Sequence, residues 1–253
     1  MNPTLALLES RCSTRVYAPA PITDAEKKAI LHATFRAPTG GNMLLYSIID
    51  VVDQELKDRL AVTCDDQPFI AKAPWVLVFV ADFQKWIDVF EYSDVASLPD
   101  LEHRSTTGPG DLMLACSDAL IAAQNAVIAA ESLGIGSCYI GDILENGEIH
   151  AELLQLPKHT FPVAMLCFGH PMASGRRAPR YTEHVVHTNH YHRLNAEELE
   201  EVSRGLAETH APHGLAPGTA NYGQAVYRRK FASEFMREMN RSVTWWMERW
   251  QSQ

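Results

Sequence analysis

The chain has 253 residues, of which 46% are hydrophobic and 21% charged, and its formal net charge is −9. This is the length and composition of an ordinary globular protein with one large domain or two small ones, and the acidic balance argues against a generic binder of nucleic acid or of an anionic membrane. The five cysteines include no C-x-x-C pair and indicate reduced thiols in a cytoplasmic protein. No signal-peptide pattern is evident at the N-terminus, so we expect none.

The first third of the chain alternates between helical and extended patterns. Residues 3–10 have the pattern of a short amphipathic helix. Thr23 and Glu26 form a capping-box pair, which predicts a second helix from Asp24 to about Phe35. The following predictions are, in order, a loop at 39–42 in which Gly40 and Gly41 are free to take positive φ, a strand at 46–52, helices at 53–63 and 67–73, and a buried strand at 75–81.

The most apolar stretch lies at 111–142. From Leu112 to Ala130 the only charged side chain is Asp118, and the abundance of Ala and Leu predicts a helix buried on most of its surface. Its length approaches the ~20 residues of a membrane span, but its polar residues favour a soluble core helix. A Gly-Ile-Gly break then leads to a short strand at 137–140.

The remaining segments are less regular. We predict an irregular, variable excursion at 82–110, a helix at 146–154, a buried strand at 162–168, a surface crossing at 170–192, a helix at 195–209, a flexible loop at 210–223 and a helical stretch at 224–250, with apolar residues at spacings of three and four from Phe231 to Trp246. Four or five strands among many helices predict an α+β fold with a small mixed sheet. Gly134-x-Gly136 lacks the third glycine of a dinucleotide fingerprint, because Tyr139 stands at that position.

Cationic and polar groups occur at two separated points. Arg11, Ser13 and Arg15 share one face if their segment is extended, and two guanidiniums with a hydroxyl suit a phosphate, although a solvated basic patch is the alternative. Cys12 stands between these Arg residues and could be a reactive thiol, but no His-Asp partner is evident, so we treat Cys12 as part of a ligand loop. A second cluster, 176–180, could close on the same phosphate.

Three other segments could contact a flat polar ligand. Thr39-Gly40-Gly41-Asn42 offers backbone amides and a hydroxyl, or is a simple turn. Gln67 could hydrogen-bond the edge of an isoalloxazine or a pyrimidine; the alternatives are that it caps a helix or faces solvent. Tyr139-Ile140-Gly141-Asp142 could bring backbone amides against a ring or a phosphate. The histidines at 184–192 have metal-like spacing but no convincing partners, so we expect no metal site.

These motifs together resemble the nitroreductase family of FMN enzymes, in the branch of oxygen-insensitive NADPH nitroreductases and flavin reductase P. The most specific match is the stretch from Ala123 to Gly141. The segment 12–15 matches the family's R-S-x-R motif, with Cys12 in place of the first Arg. Further matches are the loop at 37–42, the segment at 67–74, Gly169-His170-Pro171, and Ala178-Pro179-Arg180 for the family's K-P-R.

The resemblance implies a nitroreductase-like fold, in which a small, mostly antiparallel sheet is flanked by helices and a central buried helix lies at a dimer interface. It implies a single domain over 1–253, with 82–110 a variable excursion and 193–253 a C-terminal helical extension. It also implies an obligate homodimer with two FMN molecules at the interface. The residues implied to contact FMN are Arg11, Cys12, Ser13, Thr14, Arg15, Thr39, Gln67, Tyr139, Ile140, Gly141, Asp142 and Arg180.

The implied activity is hydride transfer from NADPH or NADH to FMN and then to a small-molecule acceptor, which is a nitro compound, a quinone or free flavin. FMN carries the chemistry, so no catalytic side chain is assigned. Arg241 is expected to bind the 2′-phosphate of NADPH, with Arg228, Arg229 and Lys230 as rivals.

Two departures from the family pattern are Ala178, where the family has Lys, and Asp142, where it has Gly; we expect Asp142 to turn away from the flavin. The alternatives are a reductive dehalogenase-like or flavin-fragmenting enzyme of the same fold, or a flavin-binding or storage protein without turnover. We expect no nucleic-acid or membrane partner.

Overall fold

The computed structural model describes residues 2–99, 107–173, 175 and 177–251. The chain divides into two compact units, the first comprising residues 1–176 with 239–253 and the second residues 177–238. The expectation of a single domain over 1–253 stays a prediction.

Helices and strands alternate along the first unit, and the second unit is helical. The first unit contains α1 (Pro3–Ser10), α2 (Asp24–Thr34), β1 (Tyr46–Asp50), α3 (Gln54–Thr63), α4 (Pro68–Ala71), β2 (Trp75–Asp82), α5 (Gln84–Tyr92), α6 (Pro109–Ser132), β3 (Gly136–Ile140), α7 (Gly147–Leu153) and β4 (Thr160–Gly169). The second unit contains α8 (Ala196–His210), α9 (Tyr222–Val226) and a π-helical turn (Tyr227–Phe231), and α10 (Glu234–Gln251) belongs to the first unit from Met239 onward.

The four strands form one sheet in the order β1-β2-β4-β3, and each neighbouring pair is antiparallel. All eight residues of β2 are buried, as expected for a strand that is apolar on both faces. The sheet is therefore small and open, with β1 and β3 at its edges. These features confirm the predicted α+β class.

Helix α6 is the central helix of the first unit. It packs against α2 and contacts all four strands, and its buried residues are mostly alanines, which let the sheet approach closely. By length and composition alone, this 24-residue helix could also cross a membrane. The packing against the sheet confirms the predicted buried core helix.

The segment 82–110 is more regular than the sequence analysis predicted. Helix α5 follows β2 directly, and Trp86 Nε1 in this helix donates a hydrogen bond to the Met43 carbonyl at 2.9 Å. The prediction of an irregular excursion is therefore wrong for residues 84–92. Residues 100–106 lie outside the described part of the chain.

The predicted helical stretch at 224–250 is interrupted. After the π-helical turn, α10 begins anew where the Ser233 hydroxyl accepts a hydrogen bond from the Met236 N–H at 3.2 Å. Phe231 is 65% exposed, whereas Trp246 and Trp250 are buried. The predicted apolar face is therefore wrong at its beginning, because the break changes the phase of the helical repeat.

Two glycines let the N-terminal segment lie flat against the sheet. Gly136 of β3 and Gly169 of β4 stand opposite each other in register. A Cβ on Gly136 would overlap the side chain of Thr14, and a Cβ on Gly169 would overlap the ring of Tyr17. The segment is held there by the Thr14 N–H, which donates to the Ser137 carbonyl at 2.9 Å.

We expect Gly136→Ala to displace Thr14 and to lower the free energy of unfolding by about 1–3 kcal/mol, the usual cost of overpacking a close contact. The measurement is the urea midpoint of the purified variant.

Gly110→Ala is the matched control. Gly110 lies in the first turn of α6, and no described atom lies within 4 Å of the position of an added Cβ. This change should stabilise the protein by about 0.4–1 kcal/mol by restricting the unfolded chain. Equal midpoints for the two variants would show that Gly136 is not tightly packed.

Candidate functional site

The segment from Arg11 to Arg15 runs along β3, at the edge of the sheet. Ser13 forms a parallel bridge with Ser137, so the segment is extended there, as predicted. Burial raises the pKa of the Cys138 thiol on β3, and the charges of Arg15 and Arg11 both oppose that rise. The structure therefore brings both guanidiniums close to the same strand.

Arg11 lies among buried polar groups between β3 and the end of α6. Burial raises the pKa of the Glu131 carboxyl, and the charge of Arg11 opposes this effect. Burial also raises the pKa of the Tyr139 phenol to about 12, although the positive charge of Arg11 lowers this pKa. Among the described residues, Arg11 Nε and the hydroxyl oxygen of Ser137 are buried without a hydrogen-bond partner. Unsatisfied buried polar atoms in a native structure call for a ligand or water.

Arg15 connects this segment to α4. The Arg15 guanidinium lies 5.8 Å from the centroid of the Phe69 ring. Phe69 follows Gln67 by two residues, so Arg15 lies beside the segment that contains Gln67. The amide nitrogen of Gln67 donates to the Cys64 carbonyl at 2.9 Å, and Gln67 makes no side-chain capping hydrogen bond to α4. Because Cys64 is the C-cap residue of α3, the Gln67 side chain binds the end of α3 and not the start of α4.

The loop that contains Thr39 is tied to α6 by a buried carboxylate. Asp118 is 4% exposed, and its two oxygens accept hydrogen bonds from the Gly40 N–H at 2.9 Å and the Leu45 N–H at 3.2 Å. In the sequence, Asp118 is the only charged side chain between Leu112 and Ala130, and no role was predicted for it. A lone carboxylate in a buried, alanine-rich helix was the available signal, because such a charge requires partners.

Positive φ angles occur in this loop at one of the two predicted glycines and at the residue that follows it. Gly41 has φ of 58° and Asn42 has φ of 59°, whereas Gly40 is not in the left-handed region. Gly40 begins a short 3₁₀ turn and does not use the freedom that a glycine has to take positive φ. The Thr39 hydroxyl accepts from the Leu44 N–H at 3.3 Å and helps to close the loop.

The residues at the end of β3, from Tyr139 to Asp142, differ in their burial and contacts. The Tyr139 hydroxyl donates to the side-chain carbonyl of Gln124 at 3.3 Å, which places the ring beside α6. The Ile140 side chain is buried in the core. Gly141 precedes a 3₁₀ turn that begins with the half-buried Asp142. The orientation of Asp142 relative to a flavin stays a prediction.

Several other predicted residues lie elsewhere. Arg180 is an exposed residue of the second unit, and Arg176 lies outside the described residues. Arg241 forms a bidentate ion pair with Glu148, with nitrogen–oxygen distances of 2.7 and 2.8 Å. The proposed contacts of Arg180 with FMN and of Arg241 with NADPH stay predictions.

The cysteines and the histidines at 184–192 were considered in the sequence as a reactive thiol and as metal ligands. All five cysteines are free thiols. Cys12 is half-buried, and a Cβ on Gly175 would overlap its sulfur. His192 Nε2 lies 2.8 Å from Glu198. In the part of the chain that the structure describes, no group of three His, Cys, Asp or Glu residues could hold a metal ion.

Comparison with known proteins identifies the family. The model of the nitroreductase family matches residues 8–170. The chain is 35% identical over 215 residues to the oxygen-insensitive NADPH nitroreductase of Salmonella typhimurium, covering 85% of each chain. The chain belongs to the nitroreductase family. The predicted resemblance is thus confirmed.

Two further nitroreductase relatives match most of the chain. The FMN reductase [NAD(P)H] of Bacillus subtilis is 30% identical over 246 residues, which cover 94% of this chain and 96% of the relative. The structure of the NADPH:FMN oxidoreductase from Vibrio harveyi complexed with NAD⁺ superposes with a TM-score of 0.78 at 26% identity, covering 97% of this chain and 98% of that chain. The nitroreductase fold is therefore confirmed over nearly the whole length.

The Asp118 carboxylate provides a direct test of the loop geometry. We expect Asp118→Ala to lower the free energy of unfolding by about 1–3 kcal/mol, because two buried N–H groups lose their acceptor. Amide hydrogen exchange at Gly40 and Leu45 should accelerate. Asp118→Asn should have a smaller effect, because one oxygen acceptor remains.

Ser117→Ala is the control for this test, since Ser117 is the exposed neighbour of Asp118 on α6. It should leave both amides protected. Unchanged exchange at Gly40 and Leu45 in Asp118→Ala would contradict the role assigned to the carboxylate.

Proposed function

We propose that this nitroreductase is an FMN-dependent oxidoreductase that uses NADPH or NADH to reduce a nitro compound, a quinone or free flavin. The observation that carries the proposal is that the Arg11–Arg15 segment, β3 and α4 meet within the region matched by the family model. The relatives named above as NADPH nitroreductase and FMN reductase support it.

The donors of this region fit FMN. Two guanidiniums and the exposed Ser13 can hold a phosphate through charge-assisted hydrogen bonds. Arg11 Nε and the Ser137 hydroxyl are buried polar atoms without a partner among the described residues, as expected beside a polar ligand. We assign the phosphate and ring edge to Arg11, Cys12, Ser13, Thr14 and Arg15.

Other segments would complete the flavin site. Thr39 and Gln67 would contact the ring edge through their polar side chains, and Tyr139, Ile140, Gly141 and Asp142 would lie against the ring. Arg180 would join the phosphate contacts. Because Ala178 replaces the family's Lys, Arg180 and the Arg11–Arg15 segment would supply the positive charge.

Bound FMN supplies the ring that accepts hydride from the nicotinamide and donates it to the acceptor. The chain supplies binding, orientation and charge. The guanidiniums of Arg11 and Arg15 favour negative charge on their ligand. Tyr139, with a pKa raised to about 12 by burial, stays protonated and neutral at physiological pH. No side chain is required as a proton donor or acceptor in this account.

A homodimer is part of the proposal. Four apolar side chains form an exposed stripe along α6 on the side away from the sheet. They are Met113, Leu114, Leu120 and Ile121, which are between 41% and 65% exposed. Residues at these spacings share one helix face, and a contiguous exposed apolar face favours association. We place the second copy on this stripe, and we place the protein in the cytoplasm, without a nucleic-acid or membrane partner.

The flavin site is tested by Arg15→Ala. We expect the dissociation constant for FMN to rise about tenfold to a hundredfold, because charge-assisted hydrogen bonds to the phosphate are lost. Flavin fluorescence during titration measures it. Arg59→Ala removes an exposed charge from α3 and is the control. Equal affinities of the two variants would contradict the assigned phosphate site.

Turnover is tested with the FMN-loaded protein under anaerobic conditions. NADPH should bleach the visible flavin absorbance, and a quinone should then sustain continued NADPH consumption. A protein that is bleached once and does not turn over with quinone, nitro compound or free flavin would be a storage protein instead. Halide release from a halogenated phenol would indicate a reductive dehalogenase, and fragments of FMN among the products would indicate a flavin-fragmenting enzyme.

The dimer is tested by the double substitution Leu120→Glu and Ile121→Glu. Two buried, unpaired carboxylates should separate the copies and halve the mass measured by light scattering. Val62→Glu is the control, because Val62 is an exposed apolar residue of α3. A wild-type protein with the mass of one chain would contradict the proposal.

A further inference from the structure

The 3₁₀ turn that follows β3, Asp142–Leu144, is held by two side chains from other elements. His150 of α7 and Ser242 of α10 are both fully buried. The His150 Nδ1 lies 2.9 Å from the Ile143 carbonyl oxygen, and the Ser242 hydroxyl donates to the Leu144 carbonyl at 2.6 Å. Two consecutive carbonyls of this turn therefore have buried side-chain partners.

The His150 ring is neutral and has one protonated nitrogen. Burial lowers the pKa of this imidazole, although hydrogen bonding to the backbone of Ile143 and Glu145 opposes the effect. The ring is therefore uncharged at physiological pH. Because a carbonyl oxygen can only accept, Nδ1 carries the proton and donates to Ile143, which leaves Nε2 as an acceptor.

The other nitrogen of the ring reaches the C-terminal end of α3. The Thr63 hydroxyl lies 2.8 Å from Nε2, and its alternative acceptor, the Arg59 carbonyl, is farther away at 3.1 Å. The Cys64 sulfur lies 3.9 Å from the same nitrogen. A second link joins the same two segments, because the Asn146 side-chain amide donates to the Thr63 carbonyl at 2.8 Å. His150 therefore bridges the end of α3 and the turn after β3.

This bridge links two of the segments that we propose to contact FMN. The amide nitrogen of Gln67 donates to the Cys64 carbonyl at 2.9 Å, so Gln67 is fixed on the end of α3 that His150 contacts. On the other side, the Leu144 N–H donates to the Gly141 carbonyl at 3.0 Å, so the turn that His150 holds is tied to Gly141. The imidazole thereby helps to set the position of Gln67 relative to Gly141.

The packing around α7 leaves little room for adjustment. A Cβ on Gly147, the first residue of α7, would overlap Trp245, Trp246 and Ser242 of α10. The start of this helix is therefore pressed against α10. Since densely packed elements transmit strain, loss of the His150 hydrogen bonds should displace the less tightly held turn and the end of α3 rather than α7 itself.

We propose that His150 is a positioning residue of the flavin site, which holds the turn after β3 and the end of α3 at a fixed separation so that Gly141 and Gln67 are aligned for FMN binding and hydride transfer. His150 acts through Ile143 and Thr63 and not by touching FMN. This role rests on the FMN site and the oxidoreductase activity proposed above.

The experiment compares His150→Phe with His159→Phe. The first variant keeps a planar ring but removes both hydrogen-bonding nitrogens. We expect it to raise the dissociation constant for FMN about tenfold and, in FMN-saturated protein, to slow reduction of the flavin by NADPH about tenfold to a hundredfold, because small displacements of positioning groups have effects of this size. His159 is half-buried and contacts Gln84 and Trp250, so its variant should keep both wild-type values.

Two conservative variants separate positioning from the filling of space. His150→Asn places an amide N–H near the position of Nδ1, so it can still donate to Ile143 and should recover most of the affinity and rate that His150→Phe loses. Thr63→Val removes the hydroxyl partner of Nε2 at nearly constant volume. It should slow flavin reduction about threefold to tenfold, the effect of one lost hydrogen bond. Thr63→Val also provides the test if His150→Phe does not fold.

Flavin fluorescence measures the dissociation constant, and anaerobic stopped-flow absorbance measures the rate of reduction. Wild-type values for both quantities in folded, FMN-saturated His150→Phe, or in Thr63→Val, would overturn the positioning role. Equal losses in His150→Phe and His159→Phe would overturn it as well.

Failure of the oxidoreductase proposal gives a different result. A wild-type protein that binds FMN but is not reduced by NADPH would overturn the proposed activity. The dissociation constants of the His150→Phe and His159→Phe variants for FMN would then decide the positioning role: a tenfold difference would support it, and equal values would overturn it.

Discussion

The buried carboxylate of Asp118 is the interaction on which the arrangement of the first unit depends. A charge in an alanine-rich core helix is costly unless it is hydrogen-bonded, and the N–H groups of Gly40 and Leu45 satisfy it. The same contact fixes the loop that contains Thr39 and the start of β1 relative to α6. Helix α6 therefore fixes the position of this polar loop and also packs against the sheet.

The sheet edge contributes the second constraint. Because Gly136 and Gly169 are opposite each other, the N-terminal segment can lie directly on β3 and β4. Side chains at these positions would push the arginines of this segment away from the strand. The cationic groups thus come close to the buried polar atoms of β3 through backbone contact, and we propose that FMN occupies this region.

Much of the fold could be predicted from local pattern, because periodicity and capping are local properties. The largely apolar β2, the capping box at Thr23 and the long α6 were all predicted close to their observed bounds. The break before α10 was missed, because an apolar repeat at three and four continues across a π-helical turn without a Gly or Pro to mark it.

The candidate site was predictable only as separate motifs. Their proximity depends on contacts between residues far apart in sequence, such as Arg15 with Phe69 and Asp118 with Gly40. The ion pair of Arg241 with Glu148 is equally invisible in the sequence. Tertiary pairing of charges therefore decides which arginines remain available to a ligand.

The most direct measurement is a crystal structure of the protein with FMN bound. We predict that the FMN phosphate lies within hydrogen-bond distance of Arg15 and Ser13, with the flavin ring against the Tyr139–Gly141 turn. An FMN phosphate held elsewhere, with the Arg11–Arg15 segment facing only solvent, would contradict it.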